Sequence, residues 1–506
     1  MGNGASTIAP PFVALDETKV ASAVTSTKAT PSARPELVLA SKLLEESAGC
    51  DGLAFAIQEL AKQPTHPEAG DLDKFLVEAM RSYRSRAAVR AYHEPILPGL
   101  QMKCDEFDGI HALKTERVHA AVWNFRRAAE LPIFGTGQCH LEGLAFIARK
   151  LKTDGFERIL WFNMREEPVV YLNGTASAPR VAGKLNENID YLLSIQGYEL
   201  DSIEARLVDD CAAASTAAAS DGGLQVWFET AGVSTQQAVD VKPFTGESGG
   251  SFSVRGAFEW LNEQEGVAPV SYHRVPIADE TAPEEQDFDQ LVTALKEFSA
   301  MHGGVSTKDT ALVFNCHMGR GRTTTGMVCA AILTHVARGW TPPASAAETP
   351  LPEPSADNRD LKRGEFSAIL KMLKQLDAFA PHVAAPGLGA RAKLLVDSCA
   401  DACAEVTHLV DAPAKCLEKG EAAKAKAGGD GEGEAPKAAA GPAEAQNADA
   451  AFWSHRALKY LERYAYLLLF AAYAQLAVEG GFTPSFSTWT RKHWAFKRTI
   501  KELDLD

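Results

Sequence analysis

Short apolar runs recur between about residues 120 and 340, and their length and composition distinguish them from helices. Arg158-Ile159-Leu160-Trp161-Phe162, Leu224-Gln225-Val226-Trp227-Phe228, Val270-Ser271-Tyr272-His273 and Ala311-Leu312-Val313-Phe314 are rich in β-branched and aromatic residues and read as strands. Stretches at helical spacing separate them, and Thr323 to Arg338, stopped by Gly339, is the best delimited. The alternation predicts an α/β fold in which a parallel sheet is covered by helices.

Outside that region the pattern is helical. Residues 36–115 carry Leu39, Leu43, Leu44, Leu53, Ile57 and Leu60 at mixed helical spacing. Gly364 to Leu376, Ala390 to Val410 and Trp453 to Val478 predict further helices within 361–410 and 451–506. Helical regions therefore flank the 120–340 unit on both sides, and the last is expected to pack on it. The remaining segments are compositionally simple. Residues 1–35, rich in Ala, Thr, Ser and Pro, are expected to be a disordered tail. Five prolines between Trp340 and Asp360 mark 341–360 as a linker, and the Ala, Lys, Glu and Gly of 411–450 read as a solvated insertion.

Composition narrows the function. A chain of 506 residues that is 46% apolar can bury a large core. Its net charge of -15 argues against nucleic-acid partners, so a phosphorylated ligand requires a local basic pocket. Nine cysteines without regular close spacing suit a reduced, cytoplasmic setting. Cys399, Cys403 and His408 lack a fourth metal ligand, and neither a metal nor a cofactor is expected. The most apolar helix, Trp453 to Val478, contains Lys459, Glu462 and Arg463 and reads as a packed helix. Gly2 with Ser6 fits the N-myristoylation pattern. One acyl chain without a polybasic cluster gives only weak, reversible membrane association, a peripheral addition to a cytoplasmic location.

The candidate chemistry lies where the strand at Ala311–Phe314 gives way to the helix at Thr323. Cys316 and Arg322 are separated by five residues, His317, Met318, Gly319, Arg320 and Gly321, and Thr323 follows. The glycines let the backbone fold tightly with its N–H groups inward, while the helix N-terminus adds positive potential. Such a nest favours a thiolate at Cys316, and Arg322 can hold two phosphate oxygens bidentately. Thr323 supplies a hydroxyl that helps the sulfur leave. A cysteine with arginine six residues on arises by chance about 0.4 times in a chain with this many cysteines, so the glycines, the threonine and the strand-to-helix context carry the signal. Asp279, with Glu280 as its neighbour and rival, lies on a Pro-bounded loop as a proton donor for the leaving oxygen. Arg165 and Arg274 are candidate pocket residues at strand ends, and His317, Arg320, His273 and Arg274 would add positive potential.

Phe314 to Met327 resembles the active-site loop of the paladin family, which is similar to the tyrosine-phosphatase-like inositol phosphatases (phytases). Asn124-Phe125-Arg126-Arg127, Ile133 to Gln138, Trp161 to Gly174, Tyr272 to Asp289 and Tyr460 to Tyr464 with Phe486 and Trp489 extend the resemblance over roughly 100–506. It implies a tyrosine-phosphatase-like fold with Cys316 as nucleophile, Arg322 as phosphate clamp and Asp279, rather than Glu280, as general acid. Asn315 is a departure, since most cysteine phosphatases have at that position a His that helps stabilise the thiolate. Two functions follow. The first is a cysteine phosphatase, a phosphoric monoester hydrolase acting on inositol phosphates or phosphoinositides ahead of phosphotyrosine. The alternative is a catalytically weak phosphatase-like scaffold that binds phosphorylated ligands in signalling.

Overall fold

The computed structural model describes residues 96–505, apart from 108, 111–114, 190–194, 218–222, 243–249, 302–308, 344–350, 356, 358, 384–386 and 428–441. Gly2, the tail at 1–35 and the helical pattern up to 95 lie outside the described residues. Leu100–Cys104 (β1), Arg126–Arg127 (β2) and Ile133–Thr136 (β3) lead to Leu141–Thr153 (α1). Arg158–Arg165 (β4), Val170–Leu172 (β5) and Thr175–Val181 (β6) precede Gly197–Ala217 (α2). Leu224–Thr230 (β7), Val233–Val239 (β8) and Phe252–Ser253 (β9) come next, then Val254–Asn262 (α3) and Val270–Ile277 (β10). Glu285–Met301 (α4), Thr310–Asn315 (β11) and Gly321–Ala337 (α5) complete the α/β part. Helices follow: Ser367–Phe379 (α6), Leu388–Ala402 (α7), Ala412–Ala427 (α8), Pro442–Ala477 (α9), Phe486–Lys492 (α10) and Trp494–Lys501 (α11).

The runs at β4 and β11 become strands because both of their faces are buried. In β4, Ile159 and Trp161 join one core cluster while Leu160, Phe162 and Met164 join another. In β11, Ala311 and Val313 divide from Leu312 and Phe314 in the same way. Side chains of a strand alternate between faces, so a run buried on both sides reads as continuously apolar. One cluster takes in residues of α1 and α3, and the other residues of α4 to α7 and α9. Phe162 and Phe314 stack across the strands with centroids 5.0 Å apart, a pair worth about 0.5–1.5 kcal/mol beyond its buried area.

The central sheet runs β10-β4-β11-β3-β2, parallel except for the antiparallel edge pair β3 and β2. β11 therefore sits in the middle, and the loop that follows it emerges at the carboxyl ends of the parallel strands. Loops at that end of such a sheet are where ligands bind.

Several expectations change. Leu224–Phe228 is a strand, but it belongs to a second, mixed sheet of order β8-β7-β1-β6-β5-β9. Leu100–Cys104, inside the stretch expected to be helical, is the third strand of that sheet, paired with both β6 and β7. Pairing partners remote in sequence override a weak local helical pattern. The helix expected to reach Val410 ends at Ala402. The segment expected to be a solvated insertion instead forms α8 and begins α9, and these helices pack together. Ala, Lys and Glu are strong helix formers, and Ala412, Ala414 and Cys416 give the first turns of α8 a buried face. No helix among the described residues is long and apolar enough to cross a membrane.

Candidate active site

The loop from Cys316 to Arg322 turns between β11 and α5 with its carbonyls taken on the outside. His317 O accepts the Gln138 amide at 2.8 Å, and Met318 O accepts Asn124 Nδ2 at 2.7 Å. Among the described residues, no acceptor takes the amides of His317 to Arg320. Gly319 makes the turn with φ of 77°. A Cβ there would lie 2.6 Å from both the Gly137 nitrogen and the Thr136 carbonyl carbon, so only glycine fits against the end of β3.

Cys316 is buried at the floor of this loop, and Thr323 Oγ1 donates to its Sγ at 3.1 Å. Asn315 occupies the position before the nucleophile within a chain of neutral groups. Trp161 Nε1 donates to Asn315 Oδ1 at 2.9 Å, and Asn315 Nδ2 donates to Gln138 Oε1 at 3.2 Å. Gln138 Nε2 then donates to the Tyr171 hydroxyl at 2.9 Å. Both ends of the Asn315 amide are thus satisfied in the core, which fixes its orientation.

Arg322 reaches back under the sheet ends. Its Nη1 donates to Glu167 Oε1 and Oε2 at 2.8 and 3.0 Å and to Ile277 O at 3.0 Å. Its Nη2 lies 3.1 Å from Asp279 Oδ1, and its buried Nε has no partner. Nε and Nη2 form the edge of a guanidinium that grips two oxygens of an oxyanion. Burial works to lower the Arg322 pKa, but Asp279 and Glu167 outweigh it and raise it further. Asp279 comes from the loop after β10, where Asn188 Nδ2 also donates to its Oδ2 at 3.1 Å.

Arg165 and Arg274, expected in the pocket, stand behind it instead. Arg165 is fully buried, pairs with Asp105 (Nη2 to Oδ1, 3.1 Å) and donates from Nε to Glu167 Oε2 at 3.0 Å. Arg274 pairs with buried Glu204 at 3.0 Å and donates to the backbone oxygens of Arg165 and Glu167 at 2.7 and 3.0 Å. A strand-end arginine flanked by buried carboxylates is drawn inward to neutralise them rather than outward to solvent. Burial alone would raise the Glu167 pKa, but Arg322 and Arg165 hold it at about 2. Asp105 likewise stays well below the ordinary carboxylate range, burial opposing and Arg165 prevailing.

His317 also departs from expectation. Burial pulls its imidazole down to about 4 against the pull of Asp105, and Nε2 sits 3.1 Å from the Asp105 carbonyl oxygen. The lowered pKa works against the positive charge expected of it. His273 lines a separate hollow with Arg274, and burial lowers its pKa too.

Cys316 and Arg322 open into a cleft of about 400 Å³. Lys103, Arg180, Arg320, Arg322, Arg456 and Arg463 line it, against the carboxylates of Asp105, Glu229, Asp279 and Glu280. The loop residues His317, Met318, Arg320 and Gly321 are in the wall as expected, whereas Thr323 is wholly buried beneath the sulfur. Lys103, Arg180, Arg456 and Arg463 escaped sequence reading because β1, β6 and α9 bring them from afar. One signal was present: Arg456, Tyr460 and Arg463 fall at i, i+4 and i+7, a polar face on an otherwise apolar helix.

Residues 162–334 match the family model PTPlike_phytase, described as "Inositol hexakisphosphate". Curated relatives include paladin of Gallus gallus, 29% identical over 393 residues, covering 76% of this chain and 38% of the relative. Paladin of Homo sapiens is 28% identical over 448 residues, covering 87% of this chain and 42% of the relative. The chain thus spans only 38% to 42% of the length of these relatives. Among solved structures, the PTP-like myo-inositol phosphatase from Mitsuokella multacida in complex with myo-inositol-(1,3,4,5)-tetrakisphosphate aligns at TM-score 0.39 and 13% identity, over 78% of this chain and 48% of that one. A PTP-like phytase from Bdellovibrio bacteriovorus aligns at TM-score 0.30 and 16% identity, over 47% of this chain and 70% of that one.

Proposed function

We propose that this paladin-like chain, with a PTP-like phytase region at 162–334, is a cysteine-dependent phosphomonoesterase acting on an inositol phosphate or a phosphoinositide headgroup. The observation that carries the reading is the convergence of three groups on one cleft. Cys316 is hydrogen-bonded by Thr323 at 3.1 Å, the Nε and Nη2 edge of Arg322 adjoins it, and Asp279 lies 3.1 Å from that edge. Six cations against four carboxylates around the cleft suit a ligand with more than one phosphate, in keeping with the compound named in the family description.

In this reading the phosphate sits on the free loop amides with two oxygens on the Arg322 edge, displacing Asp279 from Nη2 toward the leaving oxygen. The Cys316 thiolate attacks phosphorus, forming the S–P bond as the P–O bond to the leaving group breaks. Asp279 gives its proton to that oxygen. Water then attacks the phosphocysteine and passes a proton to the Asp279 carboxylate. The S–P bond breaks, orthophosphate departs, and the Thr323 hydroxyl stabilises the returning thiolate. Glu167 keeps Arg322 in place through Nη1 while leaving the gripping edge open.

The test is release of inorganic phosphate from inositol phosphates, phosphoinositide vesicles and phosphotyrosine peptides by wild type and Cys316→Ser. Release with at least one substrate that Cys316→Ser abolishes supports the reading. Absence of Cys316-dependent release across the panel sinks it, and retained ligand binding in that case favours the scaffold function.

A further inference from the structure

Three consecutive residues of the acid loop are each tied to a different support. Asp279 meets Arg322 and Asn188, as described above. Glu280 Oε1 lies 2.7 Å from Arg456 Nη2, and Thr281 O accepts Arg463 Nη2 at 2.5 Å. Both arginines belong to α9, more than 170 residues away along the chain and outside the stretch that matches the family model. They sit seven residues apart, two helical turns, and so share one face with Tyr460 between them.

The loop needs such support. Its internal bonds are few: Ala278 O accepts the Thr281 hydroxyl at 3.0 Å and the Thr281 amide at 3.4 Å, while Asp279 Oδ1 accepts the Glu280 amide at 3.1 Å. Glu280 has φ of 58°, a left-handed conformation unfavourable for a residue with a side chain. Such a conformation persists only where the surroundings impose it.

The helix is built to impose it. Arg463 is almost fully buried, its guanidinium carbon lies 5.2 Å from the Tyr460 ring centroid, and a Cβ on Gly321 would lie 2.8 Å from its Nη1. The absence of a side chain at Gly321 gives the guanidinium its place beside the start of α5. Among the described residues the Arg463 Nε and Nη1 atoms have no hydrogen-bond partner, so the bond to Thr281 O is where this buried group is satisfied. Arg456, nearer the rim, also lies 5.8 Å from the Trp453 ring centroid, which limits the directions its guanidinium can take.

We infer that α9 is a strap for the acid loop, with Arg456 and Arg463 as positioning residues that hold Asp279 over the Cys316 cleft through Glu280 and the Thr281 carbonyl. This rests on the phosphatase reading for its catalytic consequence, although the strap itself is independent of turnover. Its strength is modest at the rim, where Glu280 is half exposed, so loss of the Arg456 pair is expected to weaken the hold on this loop position about two- to fivefold.

The experiment compares wild type, Arg456→Ala, Arg456→Lys, Glu280→Gln and the double variant Arg456→Ala/Glu280→Gln. Phosphate release is followed with inositol hexakisphosphate, whose leaving alkoxide needs a proton, and with p-nitrophenyl phosphate, whose leaving group does not. Glu280→Gln, which breaks the pair and leaves the cleft cations in place, is expected to lower kcat on the first substrate about two- to fivefold more than on the second; Arg456→Ala gives the same kcat ratio and also raises KM for inositol hexakisphosphate, because the cleft loses a cation. Arg456→Lys restores part of the loss, and the double variant is no worse than either single change. Amide hydrogen exchange of residues 278–284, read without substrate, is expected to quicken two- to fivefold in Arg456→Ala. Equal losses on both substrates, or additive losses in the double variant, overturn the inference. Unchanged exchange overturns it whatever the activity. A wild type without Cys316-dependent release counts against the phosphatase reading alone, because faster exchange in Arg456→Ala still supports the strap.

Discussion

Glu167→Gln removes the negative charge between two buried guanidiniums while keeping the volume of the side chain. The carboxylate accepts from Arg322 Nη1 at 2.8 and 3.0 Å and from Arg165 Nε at 3.0 Å, and both arginine side chains are essentially inaccessible to water. Solvent cannot replace the lost charge, and breaking a buried pair of this kind costs about 3–5 kcal/mol. The depression of the Glu167 pKa from its ordinary 4.5 to about 2 gives an independent estimate of about 3 kcal/mol at neutral pH. Because the folded-state pKa lies below the unfolded one, the unfolded chain binds the proton more readily. The stabilisation is complete above about pH 5 and drains away as pH falls through 4.5 toward 2. Urea unfolding followed by tryptophan fluorescence at pH 7, 5 and 3 measures it. Glu167→Gln should be less stable than wild type by about 3 kcal/mol at pH 7, with the gap narrowing at pH 3. A gap below about 1 kcal/mol at pH 7, or one that ignores pH, refutes the idea that Glu167 carries its charge as the counterion of both arginines.

Two changes in the loop test its architecture. Gly319→Ala places a Cβ 2.6 Å from backbone atoms of β3 at a φ of 77°, so it should cost about 1–3 kcal/mol in thermal unfolding and abolish binding of orthovanadate, measured by calorimetry. Thr323→Ala removes the hydroxyl 3.1 Å from the sulfur and should lower kcat about tenfold while a rapid-quench burst of leaving group persists; loss of the burst would place its role before the phosphocysteine.

The loop was legible because its parts are contiguous: the strand, the cysteine, the glycines, the arginine and the helix follow one another from Ala311 to Arg338. The runs at β4 and β11 were legible as strands for a similar reason, since burial on both faces leaves a local mark. What was hidden is what assembles across distance. Lys103 and Arg180 come from β1 and β6, adjacent strands of the second sheet that no apolar run marks. Arg165, at the end of β4, and Arg274, within β10, carried the right charge, but their direction was decided by Asp105, Glu167 and Glu204, which sequence cannot pair with them. Residues 411–450 look like linker from composition alone, yet their described parts form α8 and the start of α9. The same alanines, lysines and glutamates that look like solvated linker are good helix formers once Ala412, Ala414 and Cys416 find a surface to cover.

Asn315 gives the site an unusual proton inventory. Trp161, Gln138 and Tyr171 join it in a line of buried neutral groups, and none of them exchanges a proton near neutrality. The residue before Cys316 thus supplies neither an acid nor a base, and the carboxylates of the cleft, Asp279 and Glu280 among them, stand in its wall where a ligand reaches them.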